Sequence, residues 1–179
     1  MRVIAGRVGG RRLKSPSGRG VRPTSDRVRE AIFSVLGDAV VDARVLDLYA
    51  GTGALAIEAL SRGARHAVCV DRSAAARETI EHNVRGLGIE EDVSVIGGDA
   101  LRYARRLSGG EEAFDLVFCD PPYTAPLEPI VSELVHGSWW RTAFVLEHAA
   151  ARDVPAAPVD LSADTRRYGD TAVTFFRRP

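Results

Sequence analysis

Cysteine is scarce in this chain: Cys69 and Cys119 are the only two, and lysine occurs once, at Lys14. Each thiol lies near the end of an apolar run, so both read as reduced, buried small hydrophobes and not as a disulfide or a redox pair. His66, His82, His136 and His148 have no metal-ligand spacing with one another or with cysteine, and no metal is expected. No apolar run is long enough to span a bilayer, and Met1-Arg2 leads into arginine-rich sequence without a hydrophobic signal segment. These readings point to a cytoplasmic protein with no membrane. Internal repeats, low-complexity tracts and linkers are missing too. What is there, 179 residues that are 45% hydrophobic and 27% charged, suits one globular domain with a real core and room for a small appendage.

The most informative string is Asp120-Pro121-Pro122-Tyr123, directly after the apolar run Phe114–Cys119. A planar exocyclic amine on a nucleobase or amide is a poor nucleophile, because its lone pair is delocalised. A carboxylate and a rigidly aimed carbonyl can each accept one of its N–H bonds and steer that lone pair. Two prolines stiffen the turn, and the Tyr123 ring offers a face on which a flat base can stack. The alternative is a plain Pro-Pro loop that caps a strand.

Upstream, Arg44-Val45-Leu46-Asp47-Leu48 runs as a strand into the glycine turn Tyr49-Ala50-Gly51-Thr52-Gly53 and then a helix. Gly51 and Gly53 let backbone approach a ligand closely at a helix N-terminus. A second strand ends in Asp71, where an acid suits a ribose diol, and Gly98-Asp99-Ala100 follows a third. Gly51-x-Gly53-x-x-Ala56 also fits a dinucleotide fingerprint, which keeps a nicotinamide enzyme in competition. Asp47, however, sits at the strand-to-loop junction, where it meets a cationic group better than a pyrophosphate. Successive acids suit a ligand carrying an ammonium, a diol and an adenine amine. S-adenosylmethionine has all three, and a sulfonium methyl besides.

Formal charge sums to zero, yet its distribution is lopsided. Residues 1 to 30 hold Arg2, Arg7, Arg11, Arg12, Lys14, Arg19, Arg22, Arg27 and Arg29 against Asp26 and Glu30. A basic head on a neutral whole fits a polyanion that docks there. Residues 2 to 14 alternate and turn at Gly9-Gly10, which reads as a hairpin. Thr24-Ser25-Asp26 offers caps for a helix carrying Val28, Ala31, Ile32 and Val35 and stopping at Gly37. Strands are expected near 44–48, 67–70, 93–96, 115–119, 143–147, 159–163 and 172–176, with helices near 53–62, 74–86, 100–107 and 127–135. Residues 164–170 are expected to form a loop between the last two strands.

Together, Asp47-Leu-Tyr-Ala-Gly-Thr-Gly, Asp71, Gly98-Asp99-Ala100-Leu101 and Asp120-Pro-Pro-Tyr resemble the successive motifs of Rossmann-like methyltransferases that act on exocyclic amines. Arg2–Gly6, Gly10–Leu13, the stretch from Arg22 to Phe33 and Arg167–Thr171 are similar to the bacterial 16S ribosomal RNA guanine-N2 methyltransferase family, the class that modifies position 966. Tyr49 and Thr52 stand where that family leads one to expect Phe and Ser. The resemblance implies an α/β fold: a Rossmann-like class I methyltransferase sheet, mostly parallel with an antiparallel C-terminal strand, over residues 23–179, and a basic N-terminal β-hairpin extension over residues 1–22. It implies S-adenosyl-L-methionine contacts from Asp47, Ala50, Gly51, Gly53, Asp71, Arg72, Asp99 and Ala100. Chemistry falls to Asp120, Pro121, Pro122 and Tyr123, and RNA contact to Arg2, Arg7, Arg11, Arg12, Arg22 and Arg27. The expected partner is 16S rRNA in the small ribosomal subunit or its assembly intermediate, engaged by a monomer. Two alternatives stand beside it: methylation of another exocyclic amine such as adenine N6, and a noncatalytic RNA-binding assembly factor.

Overall fold

Each apolar run that ends in an acid or a glycine turn forms a strand in the computed structural model, which describes residues 1–15, 25–108, 110, 113–157 and 159–179. The strands are β1 (Arg44–Leu48), β2 (His66–Asp71), β3 (Val93–Gly97), β4 (Phe114–Cys119), β5 (Trp140–Ala149), β6 (Ser162–Tyr168) and β7 (Thr171–Arg177). They make one sheet in the order β3-β2-β1-β4-β5-β7-β6. The first five are parallel, and β7 runs antiparallel between β5 and β6.

Alternation of side chains sends successive residues of the central strands into two different cores, so both faces are apolar. Val45, Cys69, Leu116 and Phe118 face a layer formed by α1 (Asp26–Leu36), α2 (Ala54–Ser61) and α3 (Ala74–Leu87). Leu46, Val70, Val117 and Phe144 face α4 (Ala100–Leu107) and α5 (Leu127–Pro129), whose chain continues in π-helical winding over Ile130–Val135. The helix expected across 127–135 is present, wound as α over Leu127–Pro129 and as π over Ile130–Val135. Helices lie on both faces of a mostly parallel sheet, and chain order reverses between β1 and β4. Ligands in such sheets bind beyond the carboxyl ends of the strands, at that reversal.

The caps follow from sequence. Ser25 accepts the Val28 N–H at the start of α1, Ser73 the Ala76 N–H at α3, and Asp99 the Arg102 N–H at α4. The strand expected at 159–163 and the loop expected at 164–170 need correction. β6 spans Ser162–Tyr168, and the turn is confined to Gly169-Asp170. β6 is an edge strand, exposed through Arg167, so no buried face stamps an apolar alternation on it.

Among its described residues the basic head makes one antiparallel bridge, Arg2 to Arg12, with Val3 N–H donating to Arg11 O and Leu13 N–H to Met1 O. Glu58 on α2, fully buried, accepts the N–H groups of Ile4 and Ala5 at 2.7 and 3.1 Å and pairs with Arg62 at 2.7 Å. Ser61 accepts the Val8 N–H and donates to Ala5 O. The head is therefore seated on the helix that follows the glycine turn. Arg22 and the capping candidate Thr24 lie outside the described residues.

Candidate cofactor and base-binding site

Strand register brings the acids together. Leu48 on β1 pairs with Val70 on β2 and with Cys119 on β4. Asp71 and Asp120 are the next residues on those two flanking strands, so they stand level on either side of the glycine turn, separated by about 10 Å of sheet. Asp99 follows β3, one strand farther out, where Asp71 pairs with Gly97.

The turn itself is tightly wound. Tyr49 has φ 62°, and Gly51 and Gly53 have φ 56° and 74°. For a tyrosine this left-handed backbone is costly, by about 1–3 kcal/mol, and such strain clusters at functional sites. Gly53 is the N-cap of α2, where a Cβ would also crowd Ile80 at 3.3 Å. Asp71 holds the turn directly: one oxygen accepts the Gly51 N–H at 2.9 Å and the other the Ser73 N–H at 2.8 Å. Ala50 N–H donates to Val70 O.

Beyond these strand ends lies a cavity of about 580 Å³. Asp47, Ala50, Gly51, Asp71 and Arg72 line one part of it, and Asp120, Pro121, Pro122 and Tyr123 another. Gly53, Asp99 and Ala100 do not. Gly53 shapes the turn from behind, and to the side Asp99 caps α4, of which Ala100 is the first residue. Asp99 is still close enough to act electrostatically on the Tyr49 phenol, whose pKa is pushed up to about 12, chiefly by burial.

Asp47 is 1% exposed and accepts the Ala56 N–H at 3.2 Å in the first turn of α2. Burial raises its pKa to about 8, opposed by the Ala56 bond and reinforced by the charges of Asp120 and Asp71. A buried carboxyl of this kind is poised to ionise when a cation arrives. Burial also pushes the Cys69 and Cys119 thiols well up, so neither is a reactive thiolate; both are buried and free.

Sequence reasoning missed several members of the site. Met1 and Thr52 line the cavity, with the Thr52 hydroxyl donating to Met1 Sδ at 3.8 Å. Tyr49, Leu55, Ser73 and Thr124 also line it. Arg152 and Thr171 bind the Asp120-Pro-Pro-Tyr loop from behind. Tyr49 had a local signal, its place in the turn. Met1, Arg152 and Thr171 reach the site only through long-range packing.

The basic residues divide into two groups. Arg7 is paired with Asp92, and Arg11 donates to Gly86 O at 2.9 Å, so both tie the head to α3 and the start of β3. Arg2 and Arg12 instead line a second hollow of about 570 Å³, together with Met1, Gly10, Leu13 and Asp26. There Arg2 stands 3.8 Å from the Asp26 carboxylate, a loose pair with both side chains open to water. Met1 borders both hollows. Arg27 is exposed on α1. Among the described residues no group of three or more His, Cys, Asp and Glu side chains is arranged to hold a metal, and no helix is long and apolar enough to cross a membrane.

A family model described as Conserved hypothetical protein 95 matches residues 1–177. The chain is 35% identical to a Bacillus subtilis protein named "Putative rRNA methyltransferase YlbH", covering 99% of each chain. It is 31% identical to "Ribosomal RNA small subunit methyltransferase D" of Escherichia coli K12, covering 99% of this chain and 90% of that one. Among solved structures, "Putative methyltransferase yhhF" from Escherichia coli superposes with a TM-score of 0.85 at 31% identity, over 99% of this chain and 97% of that one. The nicotinamide reading is set aside by these relationships. By fold and by descent, the chain belongs to the Conserved hypothetical protein 95 family, and it is related over nearly its whole length to proteins named as ribosomal RNA methyltransferases.

Proposed function

We propose that this protein methylates the exocyclic N2 amine of a guanine in 16S rRNA of the small ribosomal subunit, using S-adenosylmethionine. The observation that carries the reading is the shared cavity in which two acids of the glycine-turn half, Asp47 and Asp71, face Asp120-Pro121-Pro122-Tyr123. The donor set suits the cofactor: a buried carboxyl for an ammonium, an acid for a ribose diol, and close backbone at Gly51. When bound, S-adenosylmethionine supplies an electrophilic methyl. Everything else is the work of this chain.

Asp120 and the Pro121 carbonyl each accept one N–H of the amine, while the Tyr123 ring stacks on the flipped base. Held so, the amine attacks as a neutral nucleophile. As the N–C bond forms, the bond from the methyl to the sulfonium sulfur would break, leaving the neutral thioether S-adenosylhomocysteine, and the surplus proton on nitrogen leaves to water or to Asp120. No strong base is required, and the rate comes from orientation and electrostatic fit. Arg72 borders the same cavity and contributes to the cofactor half.

Guanine in place of adenine rests on the family, because the Asp-Pro-Pro-Tyr arrangement serves several amines. The small-subunit substrate is likewise what relatives of this chain are named for. The head, residues 1–22, acts as the RNA-docking extension, and residues 23–179 carry the transfer. Labelled methyl transfer to unmodified 30S particles and to free 16S rRNA, followed by nucleoside identification, tests the reading. N2-methylguanosine is expected. Label in N6-methyladenosine, or none in RNA, sinks it.

A further inference from the structure

We infer that Arg152 and Thr171 are positioning residues for the transfer, fixing the Asp120-Pro-Pro-Tyr loop and the plane of its aromatic ring; this rests on the function proposed above. The reason begins with composition. Asp120-Pro121-Pro122-Tyr123-Thr124-Ala125-Pro126 contains three prolines, so it has more carbonyls than N–H groups and cannot satisfy itself. Within the loop, Ala125 N–H donates to Pro122 O at 2.7 Å. The neighbouring carbonyls of Tyr123 and Ala125 both receive the same nitrogen, Nη1 of Arg152, the first at 3.1 Å. One guanidinium thereby bridges the two residues that follow Pro122 and Thr124, with charge-assisted bonds.

The ring is fastened separately. Tyr123 Oη and Thr171 Oγ1 are 2.6 Å apart, and Thr171 is 6% exposed at the first position of β7. Tyrosine turns broadly about χ2, and a bonded hydroxyl narrows that motion to one orientation. Both fasteners come from one place. Arg152 lies in the turn after β5, where its own N–H donates to Ala149 O, and Ala150 N–H donates to Asp170 O beside Thr171. The end of β5 and the β6–β7 turn thus form a strap behind the loop that presents the amine-binding groups. Because catalysis here is orientation, a displacement of about 1 Å at Tyr123 costs on the order of a hundredfold in rate.

The test measures kcat and KM for methyl transfer to unmodified 30S particles, with calorimetric affinity for S-adenosylhomocysteine and Tm alongside. Thr171→Val and Arg152→Ala should each lower kcat about tenfold to a hundredfold while cofactor-product affinity stays within about threefold. Thr171→Ser, which keeps the hydroxyl, should recover most of the rate. Tyr123→Phe should match Thr171→Val, and the double variant should be no worse than either, since both remove one bond. Wild-type kcat in Thr171→Val and Arg152→Ala overturns the inference. So does additivity of Tyr123→Phe with Thr171→Val, or a rate loss that tracks weakened cofactor-product affinity. Wild-type protein that methylates no guanine amine overturns the proposed function first, and the strap's role in that reaction with it.

Discussion

At the scale of single residues, Asp47 is the group whose state depends on what binds. Its raised pKa means that near neutral pH the free protein holds this carboxyl mostly protonated. A cationic ligand favours the ionised form, so binding must release a proton below about pH 8 and stop doing so above it. Affinity for S-adenosylhomocysteine, which keeps the amino-acid ammonium, should therefore rise with pH by up to about tenfold per unit and level off near 8. Calorimetry in buffers of different ionisation enthalpy reads the released proton directly. Asp47→Asn should flatten the profile; a flat profile in the wild type removes the ammonium from Asp47. Asp120 makes the opposite prediction. In the proposed mechanism it holds the amine and not the cofactor, so Asp120→Ala should abolish transfer yet leave cofactor-product affinity and Tm close to wild type. Turnover near the wild-type rate would remove Asp120 from the mechanism. Asp71, proposed to meet the ribose diol, has a structural role as well, because its two oxygens already hold the Gly51 and Ser73 amides. Asp71→Ala should therefore loosen the turn as well as remove the ribose partner, a cost of about 1.5–3 kcal/mol for the charged bonds. Calorimetry with S-adenosylhomocysteine checks it, and unchanged affinity would take Asp71 out of the site.

At the scale of elements, the seat of the head on α2 is where packing leaves least room. Gly6 has φ +84°, and a Cβ there would lie 1.8 Å from the backbone oxygen of Ser61. Backbone cannot swing aside as a side chain does, so Gly6→Ala should lift the head from α2. Strain alone costs about 1–3 kcal/mol, and each kcal/mol should lower Tm by about 2–4 °C in a chain of this size. Hydrogen exchange at the Ile4 and Ala5 amides, now bonded to Glu58, should quicken more than at the sheet. Unchanged Tm and protection would mean that the head is not seated as described. This same seat marks the limit of what the sequence discloses. The parallel strands β1, β2, β4 and β5 were legible because buried strands are apolar runs, and β3, half-buried at the sheet edge, still carries Val93, Val95 and Ile96; the acid at or after such a run is conspicuous. Ser25 was legible as a cap for a local reason, three-residue spacing to the amide it accepts, whereas Ser73 caps α3 unread and Asp99, read as a cofactor acid, caps α4. Glu58 reads as an ordinary helix residue, and only the fold brings Ile4, 54 residues away, to its carboxylate. Arg152 and Thr171 meet Tyr123 in the same long-range way, and β6, solvated along most of its length, leaves no apolar rhythm to read.

Over the whole molecule, zero net charge conceals a division of labour within the basic head. Sequence treats Arg2, Arg7, Arg11 and Arg12 alike. In the fold, Arg7 and Arg11 are engaged by Asp92 and the Gly86 carbonyl, whereas Arg2 and Arg12 face a hollow that adjoins the larger cavity at Met1. Exposed ion pairs are weak, so Arg7 and Arg11 contribute little to stability one at a time, but they set how the head lies against α3. On the function proposed above, the guanidinium groups in the Met1-bordered hollow would take the phosphates that flank a base turned into the cavity, fixing register while carrying no sequence information. Reversing Arg2 and Arg12 to Glu should therefore weaken binding to 30S particles or free 16S rRNA strongly. It should also flatten log affinity against log salt by somewhat under one unit, about 0.7, for each single-strand phosphate the protein no longer neutralises. Affinity for S-adenosylhomocysteine should hold. Reversing Arg7 and Arg11 should change the salt slope less, because those side chains are already engaged with protein. A titration at two salt concentrations separates the pairs: equal slopes for both double variants would spread the docking surface over the whole head, and a wild-type slope for Arg2→Glu with Arg12→Glu would move RNA to another face of the molecule.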